Sequence, residues 1–328
     1  MATPTSLMVI VDQDLRLTPA LVRAAALARK SGESLLLARF EFDRVIERAA
    51  GQGFDLQAYL DGRRQKLEAL AALVRSDDLT VDTRVFWGRP LMARMLLAIL
   101  AEKPQLVVKD VRAEPALKRL LFTPEDLDLL RQCPAPLMLV RGGAHSLPQR
   151  ILAAVDPLDE HDRPHELTAQ VLKAANRLAM QCAAQLDVVH AFEFIPPPMD
   201  GEYMTSWLPD FTLAEELRGL HLDELQKLGK EFGIPPARLY MLDGRPDRSI
   251  AEFAAEHGSD VVVMGTVQRN FLQRLTLGSV AEGLLQRLNC DVLALKPEGF
   301  AQRLQTELGK VQFDDEPLAA PRRSSACR

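Results

Sequence analysis

The chain has 328 residues, of which 47% are hydrophobic and 26% are charged, and its formal net charge at pH 7 is −5. This length and apolar content suffice for two domains of ordinary size, each with its own hydrophobic core. The negative net charge argues against an extended nucleic-acid interface, because such an interface needs a basic face to neutralise phosphates.

The N-terminal segment, MATPTSLMVIVDQD, leads directly into a strand-like pattern, with no charged region ahead of its apolar run. It therefore does not read as a signal peptide. No apolar stretch reaches the roughly 20 residues that a membrane-spanning helix requires. We expect a cytoplasmic protein without a membrane span.

The strand patterns recur in order along the chain. LMVIVD, which ends at Asp12, matches ILAAVD, which ends at Asp156, at an offset of 144 residues. Three further pairs follow at offsets of 152, 156 and 156: LARFEF with VHAFEF, WGRP with DGRP, and PQLVVKDV with SDVVVMGTV. Four matches in one order indicate an internal duplication.

Each half reads as five apolar strands that alternate with amphipathic helices. In the second half, for example, Leu167, Val171 and Leu178 have helical spacing after the first strand. Apolar strands separated by such helices are typical of parallel sheets covered on both faces. The predicted fold is α/β, with two tandem doubly wound (Rossmann-like) domains, each a mainly parallel five-stranded sheet. Their predicted boundaries are 1–145 and 146–299, followed by a C-terminal tail over 300–328.

Ligands of doubly wound sheets bind outside the carboxyl ends of the strands, near the point where the strand order reverses. Six residues stand at these ends in the second half: Asp156, Ala191, Gly244, Arg245, Met264 and Gly265. Gly278 and Ser279 precede the last helical pattern of this half, where free N–H groups favour an anion. Asp156 can accept hydrogen bonds from an adenine amino group or a ribose hydroxyl, or it can cap the following turn. Both interpretations stay open.

The first half differs at the corresponding strand ends, where the residues are Asp12, Ala38 to Phe40, Gly88, Arg89, Lys109 and Asp110. Phe122 and Thr123 stand where Gly278 and Ser279 would be. No glycine is present in the region that would approach a phosphate. We expect Lys109 and Asp110 to form an internal ion pair, the alternative being a chemical role. The first half is predicted to bind no nucleotide.

With these features the chain resembles a tandem universal stress protein of the E type, over roughly residues 5 to 299. The matching features are the strand-end aspartates, GRP in both halves, and two longer motifs: LFTPEDLDLLRQCPAPLMLV and VVVMGTV…LGSVAEGLLQRLNCDVLALKP. The resemblance implies adenine and ribose contacts at Asp156, Ala191 and Met264. It also implies that the last strands, within 137–141 and 292–296, pair the two domains, and a homodimer of such units is a further expectation.

ATP-binding members of this family carry a glycine, two residues, a second glycine, nine residues, and then glycine with serine or threonine. Gly265, Gly278 and Ser279 match this spacing, and Val280 continues the pattern, but Gln268 stands where the second glycine is expected. A glutamine side chain occupies space that glycine leaves open for phosphates, although its amide can hydrogen-bond a phosphate or sugar. The implied cofactor is ATP or a related nucleotide.

The connection from Ile195 to Phe211 is longer than usual for a compact domain and carries Tyr203 and Trp207. It either packs over the neighbouring domain or lines an apolar cleft for an elongated or amphipathic ligand.

No structural metal is expected. His161 and His165 have i,i+4 spacing, but Pro164 breaks the helix that would align them as ligands. The four cysteines are scattered without the close pairing of a metal or redox motif, and we expect them to be reduced.

Two functional hypotheses from different classes follow. The first is a non-catalytic stress-response protein whose second domain binds a nucleotide or a nucleotide-containing small molecule. The second is a protein-interaction scaffold with a vestigial pocket, or a binder of an amphipathic, lipid-like ligand. A slow ATPase is a third alternative, but no nucleophile, metal cluster or general-base constellation supports it.

Overall fold

The computed structural model describes residues 6–111, 113–114, 119–120, 122–142, 145–159, 166–194, 211–266 and 279–310. The first half of the chain contains β1 (Ser6–Ile10), α1 (Pro19–Ser31), β2 (Ser34–Glu41), α2 (Arg44–Ala50), α3 (Leu56–Ala72), β3 (Val81–Trp87), α4 (Leu91–Glu102), β4 (Leu106–Asp110), β5 (Ala113–Glu114), β6 (Arg119–Leu120), α5 (Pro124–Gln132) and β7 (Leu137–Val140). The second half contains β8 (Arg150–Ala154), α6 (Glu166–Cys182), β9 (Gln185–Phe192), α7 (Phe211–Glu231), a 3-10 turn (Pro236–Arg238), β10 (Leu239–Asp243), α8 (Pro246–Glu256), β11 (Val261–Gly265), α9 (Ser279–Arg287), β12 (Asp291–Leu295) and α10 (Phe300–Leu308).

Ten of these strands form one sheet in the order β10-β9-β8-β11-β12-β7-β4-β1-β2-β3. Neighbouring strands are parallel except at β12 and β7, which pair antiparallel. In each half the first strand lies between the second and the fourth, so the strand order reverses beside β1 and beside β8. The predicted α/β fold with a mainly parallel, Rossmann-like sheet is confirmed.

Helices cover both faces of the sheet. Successive strand residues point to opposite sides, so each strand contributes to an apolar core on both faces. In β1, for example, Leu7 and Val9 join one apolar core, whereas Met8 and Ile10 join the other. The first core also takes residues from α1, α3, α6 and α7, and the second takes residues from α4, α5, α8 and α9. No helix among the described residues has the length and apolar character needed to cross a membrane.

Local sequence sets the ends of α1. The Thr18 hydroxyl accepts a hydrogen bond from the Leu21 N–H at 3.3 Å, and Pro19 occupies the first turn. Gly32 ends the helix with a φ of 70°, a backbone conformation that side chains disfavour. Between these ends the helix buries its alanine face in the core that also takes Leu7 and Val9 of β1.

The antiparallel contact joins the strands of the two halves through Leu139 and Val292 and the pairs that follow. The paired residues, 137–139 and 292–294, lie within the segments 137–141 and 292–296. Beside them, the buried Asp291 carboxylate accepts a hydrogen bond from the Arg141 N–H at 2.8 Å and lies 2.9 Å from a guanidinium nitrogen of Arg23. Burial raises the pKa of Asp291 to about 6, although the charge of Arg23 opposes the shift.

Strand register corrects the alignment of the second strands of the two halves. Ile10 lies opposite Ala38, and Ala154 lies opposite Val189. Because Ile10 and Ala154 match at the offset of 144, Ala38 corresponds to Val189, which gives an offset of 151. The predicted offset of 152 is wrong by one residue. A strand that is apolar on both faces has no alternation to fix its alignment.

The fourth strands show the same displacement. Lys109 lies opposite Ile10, and Met264 lies opposite Ala154. Lys109 therefore corresponds to Met264 at an offset of 155, and the predicted value of 156 is also wrong by one. This pairing decides which side chains stand at the same place in the two halves.

The cysteines that the structure describes are free thiols. Cys133 is buried, and burial raises its pKa to about 12; burial also raises the pKa of Cys290 to about 12 and that of Cys182 to about 11. Cys327, His161, His165 and the segment 195–210 lie outside the described residues. The described thiols are thus protonated at neutral pH, as inert buried cysteines are.

Candidate functional site

The candidate site lies at the carboxyl edge of the second-half strands, where β8 and β11 are neighbours. Asp156 comes two residues after β8, and Gly265 is the last residue of β11. Met264 and Ala191 stand at the same edge, but their side chains are buried in the core below it. Any contact that these two residues make with a ligand would therefore involve backbone atoms.

Gly265 packs closely against a side chain of α6. A Cβ atom at this position would lie 2.6 Å from a terminal carbon of Leu167 on α6, closer than real Cβ contacts come. The glycine thus has a packing role that sequence reasoning did not include.

The other residues of the predicted phosphate region are only partly described. Ser279 is the first residue of α9, as expected, and Val280 follows it with an exposed side chain. Gln268 and Gly278 lie outside the described residues. Their predicted roles stay predictions.

Asp156 has an exposed side chain and caps the turn that follows β8. Its Oδ1 accepts a hydrogen bond from the Leu158 N–H at 3.2 Å. The same oxygen lies 3.9 Å from Nδ1 of His190. The capping interpretation is therefore confirmed, and the exposed carboxylate keeps a second oxygen for other partners.

Two histidines complete this edge, and sequence reasoning missed both. His190 on β9 is 2% exposed, its Nδ1 lies 3.1 Å from the Val155 carbonyl oxygen, and its Nε2 lies 2.8 Å from Nδ1 of His221 on α7. Because a carbonyl only accepts hydrogen bonds, Nδ1 of His190 carries the proton and Nε2 accepts from His221. The signal for His190 was a histidine inside an apolar strand, VVHAF.

Both imidazoles are held in the neutral form at pH 7. Burial lowers the pKa of His190, and the negative charge of Asp156 opposes that shift without cancelling it. Burial also lowers the pKa of His221, with Asp156 again opposing. A neutral histidine keeps a nitrogen lone pair that can accept a hydrogen bond or bind a metal ion.

The first half fills the same place with a permanent charge. Arg39, which corresponds to His190 at the offset of 151, donates to the Val11 carbonyl at 3.0 Å, just as His190 bonds to Val155. Arg39 also pairs with the buried Glu41 at 2.9 Å. Arg63 and Tyr59 on α3 reach the same carboxylate, which closes this edge of the first half with its own side chains.

Lys109 contributes a second ion pair to the first-half edge. Its ammonium lies 2.7 Å from the fully buried carboxylate of Asp126 and 3.5 Å from Glu125. The predicted pair of Lys109 with Asp110 is wrong, because adjacent strand residues point to opposite faces. Asp110 instead accepts a hydrogen bond from the Ala20 N–H on α1 at 2.9 Å.

Comparison with known proteins agrees with these features. The universal stress protein family model matches residues 148–296. Universal stress protein E homolog of Haemophilus influenzae is 34% identical over 196 residues, which are 58% of this chain and 62% of that protein. Universal stress protein E of Escherichia coli K12 is 26% identical over 329 residues, 96% of this chain and 99% of that protein.

The fold has a solved counterpart of nearly the same extent. A crystal structure from Pseudomonas aeruginosa UCBPP-PA14, assigned to the universal stress proteins, superposes with a TM-score of 0.71 at 26% identity. The superposition covers 94% of this chain and 98% of that one. The strand order reverses in each half, and the match to universal stress protein E covers 96% of this chain. The chain belongs to the universal stress protein family.

Proposed function

We propose that the second half of this stress protein binds a nucleotide or a nucleotide-containing small molecule at its carboxyl edge, and that the protein does not act as an enzyme. The observation that carries the proposal is the position of Asp156. Its exposed carboxylate stands where the strand order reverses between β8 and β11. This is the place where doubly wound sheets bind their ligands.

The difference between the two halves supports a single site. At the first-half edge, Arg39 forms an ion pair with the buried carboxylate of Glu41, and Lys109 forms one with that of Asp126. The second half has His190 and Met264 at the corresponding positions, and neither side chain carries a charge at neutral pH. The second-half edge can therefore accept an uncharged purine beside Asp156, and we infer that the phosphate of the ligand contacts the N-terminus of α9.

The rival function is that of an interaction scaffold whose pocket is vestigial. It gains support from Gly265, because packing against Leu167 explains this glycine without any ligand. Binding to an amphipathic ligand, the other alternative, depends on the segment 195–210 outside the described residues. Direct measurement of nucleotide binding separates the first function from both alternatives.

The full-length protein is expected to bind one ATP, ADP or AMP in isothermal titration calorimetry with a chelator present. Replacing Asp156 by alanine should weaken that affinity by about tenfold or more, since a hydrogen bond to a charged group contributes about 1.5–3 kcal/mol. Replacing Asp12, the counterpart in the first half, should leave the affinity unchanged. No binding heat in the wild type, or equal losses in both variants, would contradict a site in the second half.

Restoring glycine at position 268 tests whether this side chain limits phosphate binding. The Gln268→Gly variant is expected to bind ATP about tenfold more tightly, the value of one regained hydrogen bond of about 1.4 kcal/mol. AMP, which lacks the outer phosphates, serves as the control ligand and should gain less. An unchanged ATP affinity would show that glutamine is tolerated there.

A further inference from the structure

We propose that Asp156, His190 and His221 bind a divalent transition-metal ion of the Zn²⁺ or Co²⁺ type. Each side chain offers one ligand atom, and the three atoms all lie within 4.8 Å of one another. The residues come from three different elements: the end of β8, the buried strand β9, and α7. This differs from the sequence expectation of no metal, which considered the pair His161 and His165 and the four cysteines.

The donor set matches the chemistry of such ions. Two imidazole nitrogens and one carboxylate oxygen suit zinc and its first-row neighbours, whereas calcium and magnesium prefer oxygen ligands alone. With metal–nitrogen bonds of about 2.0–2.1 Å, two nitrogens on one tetrahedral ion lie about 3.3 Å apart. The nitrogens of His190 and His221 are 2.8 Å apart. A small separation of the rings admits the ion once Nδ1 of His221 has lost the proton that it donates to His190, which leaves His221 with its proton on Nε2.

The surrounding contacts hold His190 ready as a ligand. Its Nδ1–H donates to the Val155 carbonyl, which fixes the tautomer and leaves the Nε2 lone pair directed at His221. Metal-binding histidines commonly show this backbone hydrogen bond on their second nitrogen. Phe192 packs against the His221 ring at 4.8 Å between centroids, which limits the movement of the second ligand.

The carboxylate is the adjustable member of the group. Asp156 is exposed, and its hydrogen bond to Leu158 uses a single oxygen at 3.2 Å. Rotation of this side chain closes the remaining distance to the imidazoles. With three protein ligands, the ion would keep at least one position open to water or to another ligand.

Comparison with the first half supports a positive charge at the position of His190. There the guanidinium of Arg39 occupies the site that corresponds to His190, and it is neutralised by Glu41. The second half replaces this fixed positive charge with a neutral imidazole beside the carboxylate of Asp156. A bound metal ion would supply the positive charge that the chain itself supplies in the first half.

Titration of the full-length, chelator-treated protein with CoCl2 tests the proposal without any nucleotide. We expect one Co²⁺ per chain, with visible d–d absorption bands that ZnCl2 abolishes by displacement. His221→Ala should weaken Co²⁺ binding by more than about tenfold, because loss of a ligand costs at least as much as loss of a supporting contact. His221 is chosen because it is only partly buried; circular dichroism verifies the fold of each variant.

Two matched controls remove histidines elsewhere: His145→Ala, at an exposed position, and the double variant His161→Ala/His165→Ala. Both should bind Co²⁺ as the wild type does, and Asp156→Asn should weaken binding as His221→Ala does. Absence of the bands in the wild type, or equal binding by His221→Ala, would overturn the proposal. Nucleotide affinity is measured with chelator, and metal affinity is measured without nucleotide. The nucleotide proposal and the metal proposal can therefore each be contradicted while the other stands.

Discussion

Replacement of Lys109 by methionine is expected to lower the free energy of unfolding by about 3–5 kcal/mol. The ammonium lies 2.7 Å from the carboxylate of Asp126, which is fully buried. Methionine has a similar length but no charge, so the variant would leave a buried carboxylate without its cation. Urea denaturation followed by circular dichroism measures the loss.

The double variant Lys109→Met/Asp126→Leu is the main control, because it removes both charges together. It should recover most of the lost stability, since an apolar pair often replaces a buried ion pair at little cost. Asp126 also forms the capping box of α5 with Thr123, so a deficit of about 1 kcal/mol should remain. Glu125→Gln, at the exposed partner, should change stability by less than about 1 kcal/mol. A double variant as unstable as Lys109→Met would contradict this account.

The Lys109 result also bears on function. If the first-half edge is closed by its own ion pairs, the variant should lose stability while the nucleotide affinity of the folded protein stays unchanged. The two halves would then have the same fold but different uses of the same edge.

The fold was predictable because its elements leave strong local patterns. Apolar strands such as Val261–Gly265 alternate with helices that bury one face, and this order admits few arrangements other than a parallel sheet covered on both sides. Thr18 and Gly32 at the ends of α1 show that helix limits, too, follow local chemistry. The prediction of the α/β fold rests on these short-range signals.

Register between the repeats was not predictable from the same patterns. A strand buried on both faces lacks the alternation that a half-exposed strand has, so a displacement of one residue costs nothing in the sequence match. That displacement hid the correspondence between His190 and Arg39, both of which bond to the carbonyl after the first strand. Hydrogen bonds, unlike apolar runs, identify matching positions.

Only the part of the candidate site that lies at the end of a strand was predicted from the sequence. Asp156 follows from the strand end, but the partner of His190 is His221, 31 residues later on α7. No local pattern indicates a contact between residues so far apart. In the same way, the partner of Lys109 is Asp126 rather than its sequence neighbour Asp110, because the side chains of neighbours in a strand diverge.

Stability should also depend on pH through Lys296, which follows β12. Its ammonium donates to the Leu130 carbonyl at 2.6 Å and lies 5.2 Å from the ring centre of Phe300. Burial lowers the pKa of this lysine to about 7, whereas a lysine in an unfolded chain titrates near 10.4. Between these values the unfolded chain holds a proton that the folded protein lacks, so the free energy of unfolding contributed by Lys296 rises with pH.

The expected gain between pH 7 and pH 9.5 is about 2–3 kcal/mol relative to Lys296→Met, and it is lost again as the pH falls through 7. Urea denaturation of both proteins across this range measures the difference, in which the other titrating groups cancel. Lys173→Met removes an exposed lysine instead and should follow the wild type at every pH. Parallel curves for the wild type and Lys296→Met would mean that the Lys296 ammonium titrates alike in the folded and unfolded chains. The contacts to Leu130 and Phe300 would then fully offset the cost of its burial.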